Sequence, residues 1–201
     1  MKKIIVAIIF FFSFNNSLKA DDDTVSWLKT EIDIILNAYK NDQLSKAERF
    51  EFIEKTINQN FAGAGIAKFA AGKAWNSANK ETKQEYVDLF KKHLALNIAS
   101  MMQGYSDQQY TFLESKFDEK TAVNIIDMEV KSNTNSLTIS WRVKKSKSRF
   151  YVIDLIVADI SLVRTKRSEF NSMLKKVDYD LNSFNKFLKD TNDTSYQKIT
   201  N

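Results

Sequence analysis

The chain contains no cysteine and no proline, only four glycines, and a single histidine in 201 residues. Without cysteine there can be no disulfide, no thiolate nucleophile and no zinc–thiolate centre, so the fold must be held by packing alone. The lack of proline and scarcity of glycine remove the commonest breakers, which favours long uninterrupted helices and strands. His93, between Lys92 and Leu94, reads as a surface or boundary residue of a helix, and one histidine cannot supply a histidine-rich metal site. Neither a glycine-rich phosphate loop nor a Gly-x-Ser-x-Gly elbow occurs. Beyond the first twenty residues no apolar run approaches the ~20 residues that span a bilayer.

Those first twenty residues have the three parts of a cleavable secretory signal. Lys2 and Lys3 give a positive start, Ile4 to Phe14 is apolar except for Ser13, and Ala20 suits the position before cleavage. At 11 residues the apolar run is short for a membrane anchor. The expected mature chain starts at Asp21 and carries 27 basic against 25 acidic residues, a net charge of +2 instead of +5. That near balance removes the main support for a nucleic-acid partner. The remaining 181 residues suit one domain with a substantial core.

Helices come first, then strands, then helices. Val25, Leu28, Ile32, Ile35, Leu36 and Tyr39 follow helical spacing. Ser45 and Glu48 form a capping-box signature before Phe50, Ile53 and Ile57. A glycine-containing stretch, residues 61–65, precedes Ile66 to Trp75. A long helix over about 81–103 carries Tyr86, Phe90, Leu94, Ile98, Met101 and Tyr105. After Gly104 the period becomes two. Tyr110 and Phe112 suggest one strand and Ala122 to Lys131 a second; a turn at Asn133-Thr134-Asn135 then leads to a third, where Leu137, Ile139, Trp141 and Val143 alternate with polar residues. Phe150 to Val157 is apolar on both faces except at Asp154, so it is expected to be central and covered. Helical spacing returns over Ser161–Lys176 and again in a short stretch with Leu181, Phe184, Phe187 and Leu188. Residues 191–201 are polar and expected to fray. The pattern predicts an α+β fold, an antiparallel four-stranded sheet packed against several helices in one domain over residues 21–190.

Catalytic chemistry finds little support. Asp127 and Glu129 lie two apart on one strand, where solvated charges are far commoner than an acid–base pair. The aromatic and methionine stripe has two readings, plain core or the wall of an apolar cavity. Met101, Met102 and Met173 would give such a wall an adaptable lining suited to flexible acyl chains. Arg142, Lys144, Lys145, Lys147, Arg149, Arg164, Lys166 and Arg167 form a local basic concentration opposed by Asp154 and Asp159. It is either a solvated face or a rim for anionic head groups or an acidic partner.

Two blocks of residues resemble the MlaC family of periplasmic phospholipid-binding proteins, also called toluene-tolerance auxiliary components. One is Trp141-Arg142, Phe150-Tyr151-Val152-Ile153-Asp154, Ile160-Ser161-Leu162-Val163, Arg167 and Phe170. The other is Ile66-Ala67-Lys68-Phe69, Gly72, Trp75, Tyr86, Phe90 and Leu94. The sequence departs from the family's usual pattern at Phe150, where tryptophan is usual, and at Asp159, where glycine is usual. Glycines expected near Val177 and Asp180 are also missing.

The resemblance implies acyl chains in a cavity between sheet and helices, a head group near solvent, no cofactor and no catalytic group. Its partners would be an inner-membrane ABC transporter complex bearing an MCE-domain protein and an outer-membrane lipoprotein–porin complex. Its task would be to carry phospholipid across the periplasm for outer-membrane lipid asymmetry. The lipid-binding candidates are Phe69, Trp75, Phe90, Leu94, Ile98, Met101 and Ile139, with Trp141, Leu155, Val157, Leu162, Phe170 and Met173. Arg142, Arg149, Arg164, Lys166 and Arg167 would form the head-group or partner rim. Two rivals stand beside this: an enzyme on a cone-shaped α+β fold, with Asp154 its best acid–base group, and a chaperone for another apolar cargo. A structural role for Asp154, capping or pairing with Arg142, is the alternative to catalysis.

Overall fold

The computed structural model describes residues 20–104, 108–132 and 135–201. The expected signal up to Lys19, Tyr105, and the Asn133–Thr134 part of the turn lie outside the described residues. The chain opens with α1 (Asp22–Lys40), α2 (Lys46–Asn60), α3 (Gly63–Ala71), the single turn α4 (Ala74–Ser77) and α5 (Lys80–Met102). The strands follow: β1 (Gln109–Asp118), β2 (Val123–Lys131), β3 (Ser136–Ser146), β4 (Arg149–Val157) and β5 (Ile160–Ser161). It closes with α6 (Leu162–Lys175) and α7 (Leu181–Thr200).

The helix starts follow from their capping residues. Asp21 accepts from the Asp23 amide, and Asp22 and Asp23 place negative charge on the first turn of α1, where the helix dipole favours it. Ser45 and Glu48 form a complete capping box on α2. Asn79 caps α5, Ser161 caps α6 and Asp180 caps α7. Between α3 and α4 the chain turns through Gly72 at φ 57°, a left-handed conformation that glycine adopts without a Cβ clash.

The sheet is an antiparallel meander in the order β1-β2-β3-β4-β5, one short strand more than expected. The added strand, β5, is two residues long and follows the turn at Ala158 and Asp159, with φ of 46° and 64°. The strand expected to be central, β4, is next to last. Its apolar character has another cause. Phe61 bridges to Val152 and the Ala62 amide donates to the Val152 carbonyl at 2.9 Å, which covers the edge beyond the short β5. Asp178 and Tyr179 also adopt left-handed backbone, at φ 51° and 61°, close to where glycines were expected. The turns therefore persist without glycine at a cost of roughly 1–2 kcal/mol per residue. The Lys73 ammonium lies 3.3 Å from the centre of the Tyr179 ring and helps to hold that turn.

Aromatic rings from three helices interlock in the core. Phe170 of α6 meets Phe184 of α7 edge-on at 5.0 Å and Phe90 of α5 at 5.8 Å, and Tyr86 touches Phe90, Phe170 and Phe184. Phe90, Phe170, Phe184 and Tyr86 are all fully buried.

Residues 191–201 are not a frayed tail. They are the final turns of α7, which packs along α5. Ile199 and Asn192 are buried, the Asn192 side chain donates to the Leu89 carbonyl at 2.9 Å, and Tyr196 meets Phe50 edge-on at 5.3 Å. A sparse apolar pattern, with Ile199 and Tyr196 separated by polar residues, hid an element whose polar residues bond inward. Deleting residues 191–201 is expected to lower the stability of the folded chain by on the order of 3 kcal/mol or more, from the lost Ile199 burial and the Asn192 bonds. Urea midpoints of the two chains measure this; equal midpoints would mean that the segment contributes nothing.

Candidate functional site

A cavity of about 370 Å³ opens between the sheet, α1 and the end of α5. For scale, an apolar cavity of about 150 Å³ holds one benzene. Ile32, Ile35 and Leu36 form the α1 wall, and Ile98, Met101 and Met102 the α5 wall. The sheet contributes Tyr110, Met128, Val130, Leu137, Ile139, Trp141, Leu155 and Val157, and Leu162 adds the start of α6. Register explains the sheet wall. Met128 pairs with Ile139, Trp141 with Leu155 and Ile139 with Val157, so one pleated face presents apolar side chains from three strands. Among the described residues, none that lines the cavity is charged. Its polar residues, Gln108, Ser132 and Asn135, come from segments beside the strand ends, as does Gly104. Met101 is 56 % exposed and Leu137 38 %, so both belong to the mouth.

Among the described residues three polar contacts hold α1 against the sheet, beside the Trp27–Phe150 ring contact at 5.4 Å. The Tyr110 hydroxyl donates to Asp33 at 2.5 Å, the Asp21 amide donates to Asn124 at 3.3 Å, and the Lys145 ammonium pairs with Asp21 at 3.0 Å. Burial pushes the Tyr110 phenol up to about 12, and the Asp33 carboxylate adds to the shift.

Seven of the thirteen cavity candidates line this space: Ile98, Met101, Ile139, Trp141, Leu155, Val157 and Leu162. The other six do not. Phe90, Leu94 and Phe170 are buried in the core, Trp75 packs edge-on against Tyr86 at 6.4 Å, and Met173 packs against the core on α6. Phe69 is exposed and borders a separate groove. The stripe on α5 misleads because its spacing is four. Each step of four residues precesses by about 40° around an α-helix. The face carrying Tyr86 and Phe90 therefore points at α6 and α7, and only by Ile98 has it turned to the sheet. Ile32, Ile35 and Leu36 were legible as a helical stripe, but nothing in their spacing said what they cover.

The five cations of the expected rim do not share one place. Arg142 and Arg164 border the separate groove with Phe69. Arg167 stacks over the Phe69 ring at 4.5 Å and donates to the Phe69 carbonyl. Arg149 donates to the Gln59 carbonyl at 3.0 Å and lies over Tyr151. Lys166 is buried and paired with Glu169 at 2.8 Å. None of the five lines the cavity.

The other titratable candidates are tied into the framework. One Asp154 oxygen accepts from the Ser161 hydroxyl at 2.6 Å and the other from the Val163 amide at 3.1 Å, so the buried carboxylate fastens the start of α6 to β4. Asp127 accepts from Ser140 at 2.5 Å; Glu129 accepts from Ser136 at 2.6 Å and pairs with Lys131 at 2.8 Å. His93 is half-buried where α5 meets α7, with Nδ1 3.1 Å from the Asn192 side-chain oxygen and its ring 5.4 Å from Phe170. Among the described residues no group of acidic and histidine side chains could hold a metal ion, and no helix is long and apolar enough to cross a membrane.

The architecture is thus that of an α+β protein built around an apolar cavity between a meander sheet and two helices. The family described as MlaC protein matches residues 29–189. The chain belongs to the MlaC family. Among solved structures, the phospholipid-binding protein from Ralstonia solanacearum, in complex with a phospholipid, superposes with a TM-score of 0.72 at 20 % identity. The match covers 85 % of this chain and 97 % of that one, which shows a shared fold. No curated protein sequence matches the chain.

Two outcomes follow from these contacts. Asp154→Asn keeps the shape but removes one acceptor, and is expected to cost about 1–3 kcal/mol of stability in a urea titration; an unchanged midpoint would show that the carboxylate does not hold α6. Burial lowers the His93 imidazole to about 4, with the Lys166 charge adding to the effect while the Asn192 bond and Glu169 oppose it. Its ordinary value is 6.5, so between these values the unfolded chain binds the proton and the folded chain does not. This contribution therefore falls as pH drops from 6.5 towards 4, by on the order of 3 kcal/mol, and is constant above. His93→Gln is expected to flatten that part of the stability–pH curve. Parallel curves for both proteins would contradict the assignment.

Proposed function

We propose that the protein is a soluble periplasmic phospholipid carrier. The observation that carries this is the cavity itself, apolar on every long wall and polar only where it opens. A free phospholipid exposes roughly thirty methylenes, worth about 0.8 kcal/mol each, so water opposes its escape from a membrane by more than ~20 kcal/mol. A carrier must replace most of that contact, and a wall of Ile, Leu, Val and Met from two helices and three strands can do so. Flexible Met101, Met102 and Met128 allow chains of different length and unsaturation to pack. The acyl chains lie between α1, the end of α5 and the sheet, and the head group stays at the mouth near Gln108, Ser132 and Asn135.

Membership of the MlaC family and the fold shared with a protein solved around a phospholipid support this reading. So does the expected secretory signal, which would deliver the domain to the aqueous gap between two membranes. There it would pass lipid between an outer-membrane lipoprotein–porin complex and an inner-membrane ABC transporter with an MCE-domain protein. Transfer between two similar apolar environments is near balance and needs no catalytic group. Direction then comes from the partners, through their different affinities for the loaded and empty states.

The test is to express the chain with its signal, purify it from the periplasm, extract it with organic solvent and identify the cargo by mass spectrometry. Phospholipid close to one molecule per protein is expected. Ile139→Arg places a charge in the wall and should reduce that content at least about fivefold while the fold survives, because the arginine can reach the open mouth. Phe90→Arg should abolish folding instead, since its site is closed core. A reproducibly empty wild type, or an acylated peptide as cargo, would overturn the phospholipid reading.

A further inference from the structure

The chain carries a second concavity that cargo binding leaves unused. It measures about 350 Å³ and lies between α3, the β3–β4 pair and the start of α6. Arg142 and Arg164 border it, and neither guanidinium has a hydrogen-bond or ion-pair partner among the described residues. Among the described residues Asp154 is the one carboxylate in its wall, and both its oxygens are engaged by Ser161 and Val163. Arg142 and Asp154 are register partners on β3 and β4, yet no ion pair joins them. The wall therefore has an excess of positive charge, and Arg167 adds a third cation beside it. Phe69 on α3 is 44 % exposed at the same groove, with Ile66 and Ile153 nearby.

Pleating sets this groove back to back with the cavity. On β3, Trp141 lines the cavity and Arg142 the groove; on β4, Leu155 lines the cavity and Asp154 the groove. At the start of α6, Leu162 and Val163 divide in the same way. These cations are thus not placed to meet the head group of a lipid held at the cavity mouth.

We propose that the groove docks an acidic segment of a partner protein. An aspartate or glutamate carboxylate of that segment pairs with Arg142 and Arg164, and a neighbouring apolar side chain covers Phe69. Two unpartnered guanidiniums in a concave wall match a carboxylate in charge and geometry. The exposed aromatic beside them supplies the apolar anchor that such interfaces use. A flat anionic bilayer would not reach the half-buried Arg142, and a free phosphate would leave Phe69 uncovered. The inference does not depend on which lipid fills the cavity.

A random-peptide phage library selected against the intact protein, with Arg142→Gln/Arg164→Gln as the counter-target, tests it. Selected peptides are expected to carry Asp or Glu beside an aromatic or aliphatic residue. Their binding, read by fluorescence anisotropy of the labelled peptides, should weaken about tenfold or more in the double variant and severalfold in Phe69→Ser. Cargo content of all three proteins should be equal, which separates this result from any failure of the carrier reading. Three outcomes would overturn the proposal: no enriched peptide, enriched peptides without acidic bias, or peptides that bind the double variant equally well. So would loss of binding to phosphatidylglycerol vesicles in the double variant with no peptide recovered, since the cations would then serve a membrane surface.

Discussion

The aromatic interlock of Tyr86, Phe90, Phe170 and Phe184 is the contact on which the rest of the molecule depends. It joins α5, α6 and α7 into a block that is close-packed without help from the outer strands. An unfilled apolar wall forfeits dispersion contacts, and a protein whose core included that wall would tend to collapse onto it. Here the rings and the wall are offset along α5, although Ile32, Met128 and Leu155 both belong to the buried core and line the cavity. The N-terminal part of α5 is fixed by rings, and its last turns, from Ile98 to Met102, overhang the sheet beside an open space. Stability resides at one end of the helix and capacity at the other.

The remaining wall is held by a few polar ties at the margins. Tyr110 to Asp33, Asp21 to Lys145 and the Asp21 amide to Asn124 hold α1 against the sheet without filling the space between them. Asp154 does the same for the start of α6. Such ties fix direction while leaving Ile32, Ile35 and Leu36 free to face a guest. The same frame gives the sheet two working faces, with Trp141 and Arg142 as neighbours that serve opposite sides.

Much of this was legible in residue order. The capping box of Ser45 and Glu48, the alternation from Leu137 to Val143 and the change of period after Gly104 specify elements and their sequence. The number of strands differed by one because β5 is a two-residue continuation of a tight turn, too short to leave a pattern. The site was harder to read. Trp141 and Ile139 declared themselves by strand alternation, but Phe90 and Phe170 share their chemistry and lie in closed core. Apolar character does not say whether a wall has a neighbour, and the slow rotation of a four-residue stripe is visible only in three dimensions. The basic cluster was legible as composition, while its division among a groove, an aromatic stack and a buried pair was not. The end of α7 escaped for the opposite reason: its buried asparagine looks like a solvated residue until its bonds are seen.

The central claim is that cargo occupies the space between α1, the end of α5 and the sheet, and not the helical block. A crystal structure of the protein purified with its native ligand tests this most directly. The account predicts acyl-chain density bounded by Ile35, Met102, Ile139 and Leu155, with the rings of Tyr86, Phe90, Phe170 and Phe184 still in contact. Density among those rings, or side chains collapsed across the cavity with ligand bound elsewhere, would contradict it.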